Sequence, residues 1–162
     1  PKDRLLGEIG KGHLIAFNVL NVGRFKLGAS VTGGAKLAIH HAVRYANERH
    51  QFNKPISSFG AIKHKLADCL HRLELSRVGT HYAAWASDAE APDRARAAAM
   101  AGGYVTESAI FVSGECIQVH GGVGFSWDCE AHRHYRKAKQ ADLLLGAQGW
   151  HRSRLADLVL SA

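Results

Sequence analysis

The chain has 162 residues, a formal net charge of +7 at pH 7 and three cysteines. This length suits one domain with a sizeable hydrophobic core. No apolar run of about 18 residues and no charged-then-apolar leader occurs, which argues against a membrane span and a secretory signal in these residues. The odd number and wide spacing of the cysteines argue against a disulfide framework and favour a reducing, cytoplasmic compartment.

The first element in the chain is predicted to be one long helix from about Gly12 to His50, where apolar residues recur at helical spacing. Its internal glycines Gly28, Gly33 and Gly34 are expected to permit close packing against another helix. Pro55 pushes the residue before it out of helical geometry, so the helix must end by that point.

Four further helices follow in the predicted order. The second spans about Phe59 to Ser87, with an apolar face broad enough to be buried between neighbours. Pro92 suits the first turn of a third helix over about Asp93 to Val119. A fourth is expected over Glu130 to Leu144 and a short one over Trp150 to Leu160. No strand pattern competes, so the fold class is all-α, an up-and-down bundle of about four main helices plus the short terminal helix.

One candidate site follows the first helix, where Arg49, Gln51 and Phe52 occur close together. A guanidinium offers fixed, permanently charged donors that suit phosphate oxygens better than an ammonium does. A surface arginine favoured by the helix C-terminus is the alternative explanation for Arg49 taken alone.

A second candidate site ends the third helix, at Gln118, Gly121 and Gly122. Glycines let main-chain amides approach a phosphate or an adenosine closely. A helix stop followed by a tight turn is the commoner use of such glycines, and it remains open for this segment taken alone.

Taken together, the motifs resemble the C-terminal helical domain of the acyl-CoA dehydrogenases, which are FAD-dependent enzymes. They occur in the family's order and approximate spacing over nearly the whole chain: Arg49-x-Gln51-Phe52-x-x-Pro55-Ile56, Phe59-Gly60-x-Ile62, Leu66-Ala67-Asp68 and Gln118-x-x-Gly121-Gly122-x-Gly124-Phe125. The resemblance implies that residues 11–162 form this domain. It also implies that residues 1–10 are the remnant of a link from a preceding β-domain.

The resemblance assigns roles to individual residues. It places Arg49 on the pyrophosphate of FAD, with Gln51 and Phe52 beside the cofactor. A second group lies along the ADP half of a neighbouring subunit's flavin, namely Gln118, Gly121 and Gly122. Arg24 matches a family arginine near the acyl-CoA pocket.

The resemblance implies that the family's catalytic base has no counterpart in this chain. The dehydrogenation removes an α-proton from the thioester, which needs a carboxylate whose basicity is raised by an apolar pocket. The position of the usual glutamate holds Leu145, and the alternative position on the first helix holds Gly23. Asp142, one turn before Leu145, is expected to be an exposed aspartate near a helix end. Lys137 replaces a family aspartate, which removes an ion-pair partner.

The C-terminal segment is similar to a subset of the family that lacks this glutamate, some members of which pair with a base-bearing subunit. The resemblance therefore implies a homo- or hetero-oligomer, a dimer or tetramer, that binds FAD and acyl-CoA, with the isolated chain inactive.

Alternative interpretations are a non-catalytic partner subunit, a module for nucleic acid or a protein scaffold, and a purely structural bundle. Cations spread over all the helices argue against nucleic acid, and the histidine spacing argues against a metal site.

Overall fold

The computed structural model describes residues 2–160, without the side chains of Lys2, Phe17, Asn18, Leu20, Asn21, Val22, Arg24 and Leu145. Five α-helices occur in these residues: α1 (Gly12–Glu48), α2 (Gly60–Asp88), α3 (Arg94–His120), α4 (Ala131–Leu145) and α5 (Gln148–Leu160). Short 3₁₀ turns cover Lys2–Arg4, Ile56–Ser58 and Gly121–Phe125. The predicted all-α class is confirmed, with helix ends within a few residues of the predicted ones.

The helices alternate in direction around α3, which is the central helix. Its buried residues are mostly Ala, Gly, Ser, Thr and Val, so neighbouring helices can pack closely on several sides of it. On α1 the buried positions are spaced three or four residues apart and carry small side chains, a narrow apolar stripe suited to close packing: Val31, Ala35, Ala38, Ala42 and Ala46. The thiol of Cys116 on α3 donates to the carbonyl of Ala38 at 3.2 Å.

A short β-hairpin between α1 and α2 corrects the expectation that the chain has no strands. Strand β1 (His50–Gln51) pairs antiparallel with β2 (Lys54–Pro55). Strands of two residues are too short to show the alternation of apolar and polar residues by which a strand is recognised in a sequence.

The apolar face of α2 is less buried than its sequence predicts. Its buried residues form a narrow stripe that includes Cys69, Leu73 and Ala83. The larger apolar residues at similar spacing are exposed: Leu70, Leu75, Val78, Tyr82 and Trp85. Both sets recur with the helical period, so periodicity alone cannot say which set faces the core.

Two local expectations about glycine and proline are also corrected. A Cβ on Gly28 would meet Thr80 and Val105 at 3.9 Å, but one on Gly33 or Gly34 would meet nothing within 4 Å, so close packing does not explain those two glycines. Pro92 precedes the N-cap of α3 and lies outside the first helical turn, because the helix begins at Arg94.

Among the helices of residues 2–160, none combines the length and the apolar character that a membrane crossing demands.

Candidate cofactor-binding site

The two segments singled out in the sequence lie at the same end of the bundle, here called the loop end. It contains the hairpin segment 49–59, between α1 and α2, and the glycine segment 121–130, between α3 and α4. The last turns of α1 and α3 are held together by the stacked rings of Tyr45 and His120, whose centroids are 4.4 Å apart. The tertiary structure therefore brings together two motifs separated by about 70 residues in the sequence.

The hairpin holds a strained aromatic residue in solvent. Phe52 and Asn53 form its two-residue turn with φ angles of 53° and 62°, the left-handed geometry of the tight turns that connect strands. Asn tolerates this geometry, whereas a bulky residue such as Phe adopts it rarely. Phe52 is nonetheless 86% exposed, with its ring edge-on to Phe59 at 6.2 Å. Strain combined with an exposed aromatic ring is typical of a ligand contact.

Arg49 is an available cation at the base of the hairpin. Its amide donates to the carbonyl of Tyr45 at 2.8 Å, and its carbonyl accepts from the amide of Ile56 at 2.8 Å, so its backbone is fixed. The adjacent acid, Glu48, is paired with Arg44 at 2.9 Å, and no ion pair among the described side chains involves Arg49. A fixed backbone and an uncompensated guanidinium suit an anionic group.

Other polar and aromatic groups of the hairpin line the same segment. The side-chain amide of Gln51 donates to the carbonyl of His50 at 2.8 Å and remains exposed. The ammonium of Lys54 lies 4.5 Å from the centre of the Phe59 ring. Lys54 was missed in the sequence because a single lysine in a loop has no distinguishing pattern. It adds a second positive charge to the segment.

The three glycines of the second segment have different structural reasons. Gly121 ends α3 with φ 62° and ψ −142°, a conformation that side chains rarely adopt. A Cβ on Gly124 would lie 2.7 Å from the carbonyl oxygen of Ile117. Gly122 has neither constraint, since a Cβ there would meet nothing within 4 Å. The exposed main chain at Gly122, beside the exposed side chain of Gln118, is therefore the part of this turn that folding does not explain.

Two exposed aromatic residues extend this segment and were not among the predicted site residues. Phe125 is 77% exposed and Trp127 is 73% exposed. The guanidinium carbon of Arg136 lies 5.4 Å from the centre of the Trp127 ring, a cation–π contact. Large apolar side chains in a loop of glycine and polar residues are the signal that could have identified them.

Gly23 and Leu145, the two positions that the resemblance assigns to the base, both lie away from the loop end, on α1 and at the end of α4. Phe25, two residues after Gly23, packs on the apolar cluster formed by α2 and the start of α3. Leu145 ends α4, and the next residue, Gly146, lies against His151, which packs on Gly102 of α3. Because α4 has 15 residues, this end lies about 22 Å from the loop end. This second end is called the α5 end.

The side chains of Leu145 and Arg24 lie outside the described residues, although both positions have helical backbone. Gly23 is exposed, with nothing within 4 Å of a Cβ added there. Neither glycine nor leucine has a group that accepts a proton at neutral pH.

Asp142 corrects the expectation of an exposed carboxylate. It is half-buried, and its Oδ1 is buried without a hydrogen-bond partner among the described residues. Helical spacing places it next to the buried positions Ala138 and Ala141 on the inner side of α4, which its location near a helix end did not reveal.

Thiol and metal chemistry have little support in the described residues. Burial is the main cause that raises the pKa of Cys69 and of Cys116 to about 12, so both thiols stay protonated at neutral pH. In the described part of the chain, no three His, Cys, Asp or Glu residues are grouped so that they could hold a metal ion.

Comparison with known proteins gives consistent matches over this domain. The family profile described as acyl-CoA dehydrogenase, C-terminal domain, matches residues 10–160. The chain is 36% identical over 160 residues to the mitochondrial short-chain specific acyl-CoA dehydrogenase of Homo sapiens, covering 99% of this chain and 39% of that protein.

Two solved structures show the same fold over most of the chain. Butyryl-CoA dehydrogenase from Megasphaera elsdenii has a TM-score of 0.92 at 33% identity, over 99% of this chain and 42% of its own. The ChsE4–ChsE5 complex from Mycobacterium tuberculosis has a TM-score of 0.86 at 29% identity, over 91% of this chain and 40% of its own. The chain spans about two fifths of the length of these relatives.

Proposed function

Because the chain belongs to the acyl-CoA dehydrogenase family and matches its C-terminal domain, we propose that it forms part of a shared FAD site in a flavoprotein acting on acyl-CoA thioesters. The observation that carries the proposal is the loop end, where an uncompensated Arg49 and the open main chain of Gly122 lie on adjacent loops. Bound flavin supplies the acceptor for the hydride that leaves the thioester's β-carbon.

In this proposal, different residues of the chain bind different parts of the cofactor and the substrate. The guanidinium of Arg49 binds the pyrophosphate, and Gln51 and Phe52 contact the cofactor beside it. Gln118, Gly121 and Gly122 hold the ADP portion with a side-chain amide and main-chain groups. Arg24 belongs to the acyl-CoA pocket.

A single copy of this domain does not complete the reaction site. The proposed cofactor loops and Leu145 lie at opposite ends of α4, about 22 Å apart. Each end therefore serves a different flavin in an oligomer, and neither Gly23 nor Leu145 removes the α-proton. In our proposal the oligomer contains a partner subunit that supplies the base, and this chain contributes cofactor binding from a cytoplasmic protein.

The first test is Arg49→Ala in the intact protein, with the FAD dissociation constant measured by fluorescence titration. Losing charge-assisted hydrogen bonds to phosphate should weaken binding about 10- to 100-fold. Arg154→Ala is the matched control, since Arg154 is an exposed arginine of α5, and it should leave affinity unchanged. Equal affinity in wild type and Arg49→Ala would remove the main support for the flavin site.

The second test concerns the missing base. Leu145→Glu in the intact protein should produce acyl-CoA-dependent dye reduction if a carboxylate is the one group absent. Wild type alone should show none, and wild type with its base-bearing partner should be active. A nucleic-acid or scaffold module predicts instead a colourless protein, without the visible absorbance of a bound flavin.

A further inference from the structure

Two histidines face each other across the contact between α1 and α4. The ring centroids of His41 and His134 are 5.5 Å apart, with the rings tilted by 57°. Both side chains are half-buried, whereas the neighbouring His40 is exposed, with its centroid 6.3 Å from that of His41. Neither histidine belongs to the proposed flavin or thioester contacts.

His134 is poorly placed to carry a second proton. Its Nε2 is buried and has no hydrogen-bond partner among the described residues. An imidazolium has two N–H donors, and a buried donor without an acceptor is costly. His132, two residues earlier on α4, also has a buried Nε2 without a partner in the described part of the chain.

The surroundings of His134 lower its pKa on balance. Burial lowers the pKa of His134 from 6.5, and the nearby His41 on α1 lowers it further. Glu130, at the start of α4, opposes these effects, but it is shared with Arg133 in an ion pair of 2.9 Å. Among the described residues, no charged group of α3 acts on His134.

We propose that the His41–His134 contact makes the packing of α4 on α1 acid-sensitive, so that α4 loosens when both rings become charged. Two like charges would then lie 5.5 Å apart between helices, with one nitrogen lacking an acceptor. The helix affected joins the glycine segment at its start to the Leu145–Gly146 turn at its end. Loosening of α4 at acid pH therefore changes the packing at both ends of the bundle.

The direction of the pH effect follows from linkage. A histidine whose pKa is lower in the folded than in the unfolded chain does not reduce stability above pH 6.5, because it is neutral in both states there. As the pH falls below that value, the unfolded chain binds the proton more readily, and stability is lost until the pH is below the folded-state pKa. The sensitive range is therefore mildly acidic.

The test compares thermal unfolding at pH 7.5 and pH 5.5 in the intact protein. Trp127 and Trp150 flank α4 and report its packing by fluorescence. The acid-induced fall in Tm should be about 3 °C smaller in His134→Gln than in wild type, in line with the shifts that a single interaction causes in a domain of this size. His40→Gln, on the exposed neighbour, should retain the full acid-induced fall.

A double-mutant cycle distinguishes charge repulsion between His41 and His134 from their ordinary packing. His41→Gln combined with His134→Gln should show coupling at pH 5.5 that is absent at pH 7.5, because the repulsion exists only when both rings are charged. Coupling that is equal at both pH values, or single variants with the wild-type acid response, would overturn the proposal. If His134→Gln does not fold, His41→Gln alone must reduce the acid-induced fall in Tm.

Release of flavin at pH 5.5 is a consequence that also rests on the proposed function. Flavin retention is measured separately, after gel filtration at each pH. An acid response in Tm without flavin in the protein would support the histidine contact and count against the flavin site. An acid-insensitive Tm in a protein that retains its flavin would overturn the histidine proposal and support the flavin site.

Discussion

The two ends of the bundle differ in how far their side chains and main chain are exposed to solvent. At the loop end, Phe52 is held in a strained turn and is 86% exposed, and the main chain at Gly122 has open space above it. At the α5 end, His151 is 1% exposed and packs directly on the backbone of α3 at Gly102 and Gly103. The comparison indicates that Gly122 leaves the main chain open at one end, whereas Gly102 and Gly103 permit close packing at the other.

The α5 end is also held by polar contacts between helices. Arg152 of α5 donates to Glu107 of α3 at 2.5 Å, and Arg72 of α2 approaches the same carboxylate at 3.9 Å. These groups are substantially exposed, so the ion pairs contribute little compared with the buried contact of His151. The packing of His151 is therefore the feature to disrupt first.

Gly102→Ala should give the largest effect. A Cβ there would overlap the His151 ring, lying 2.6 Å from its Nδ1, so α5 has to move outward. We expect a loss of about 3 kcal/mol in the free energy of unfolding, measured by urea denaturation. Gly33→Ala is the control, because its Cβ meets nothing within 4 Å, and it should stabilise the helix by about 0.5–1 kcal/mol. Equal stability of wild type and Gly102→Ala would mean that α5 is not packed as described.

Gly121→Ala tests whether the loop end also depends on glycine for folding. The φ of 62° with ψ of −142° excludes ordinary side-chain conformations, so we expect a loss of about 2 kcal/mol. Gly122→Ala should leave stability within about 0.5 kcal/mol of wild type and weaken flavin binding. The division of roles fails if the two substitutions have the same effect on urea midpoint and on flavin affinity.

Phe52→Gly should change stability less than Gly102→Ala or Gly121→Ala does, and in the opposite direction. Glycine relieves the left-handed strain but adds freedom to the unfolded chain, so we expect a net gain of about 0.5 kcal/mol. Flavin affinity should fall because the exposed ring is lost. Asn53→Gly is the matched variant, with a smaller gain, since Asn tolerates this geometry. A Tm that falls in Phe52→Gly would show that the ring stabilises the fold.

Much of the architecture followed from local signals in the sequence. Helical periodicity and the positions of Gly and Pro predicted five helices and their order, because these properties depend on residues close together in the chain. The motifs around Arg49 and Gly121 were also recognisable, since their spacing is local. Their assignment to a flavin stays a prediction.

The tertiary structure decided which of these local features face one another. The exposure of Trp85 and the partial burial of Asp142 depend on neighbours far away in the sequence. Periodicity gives the faces of a helix, but burial is set by which helix covers each face. The sequence by itself therefore determined the elements and the candidate motifs. Only packing decided that the hairpin segment and the glycine segment share one end of the bundle, because the contact of Tyr45 with His120 joins residues far apart in the chain.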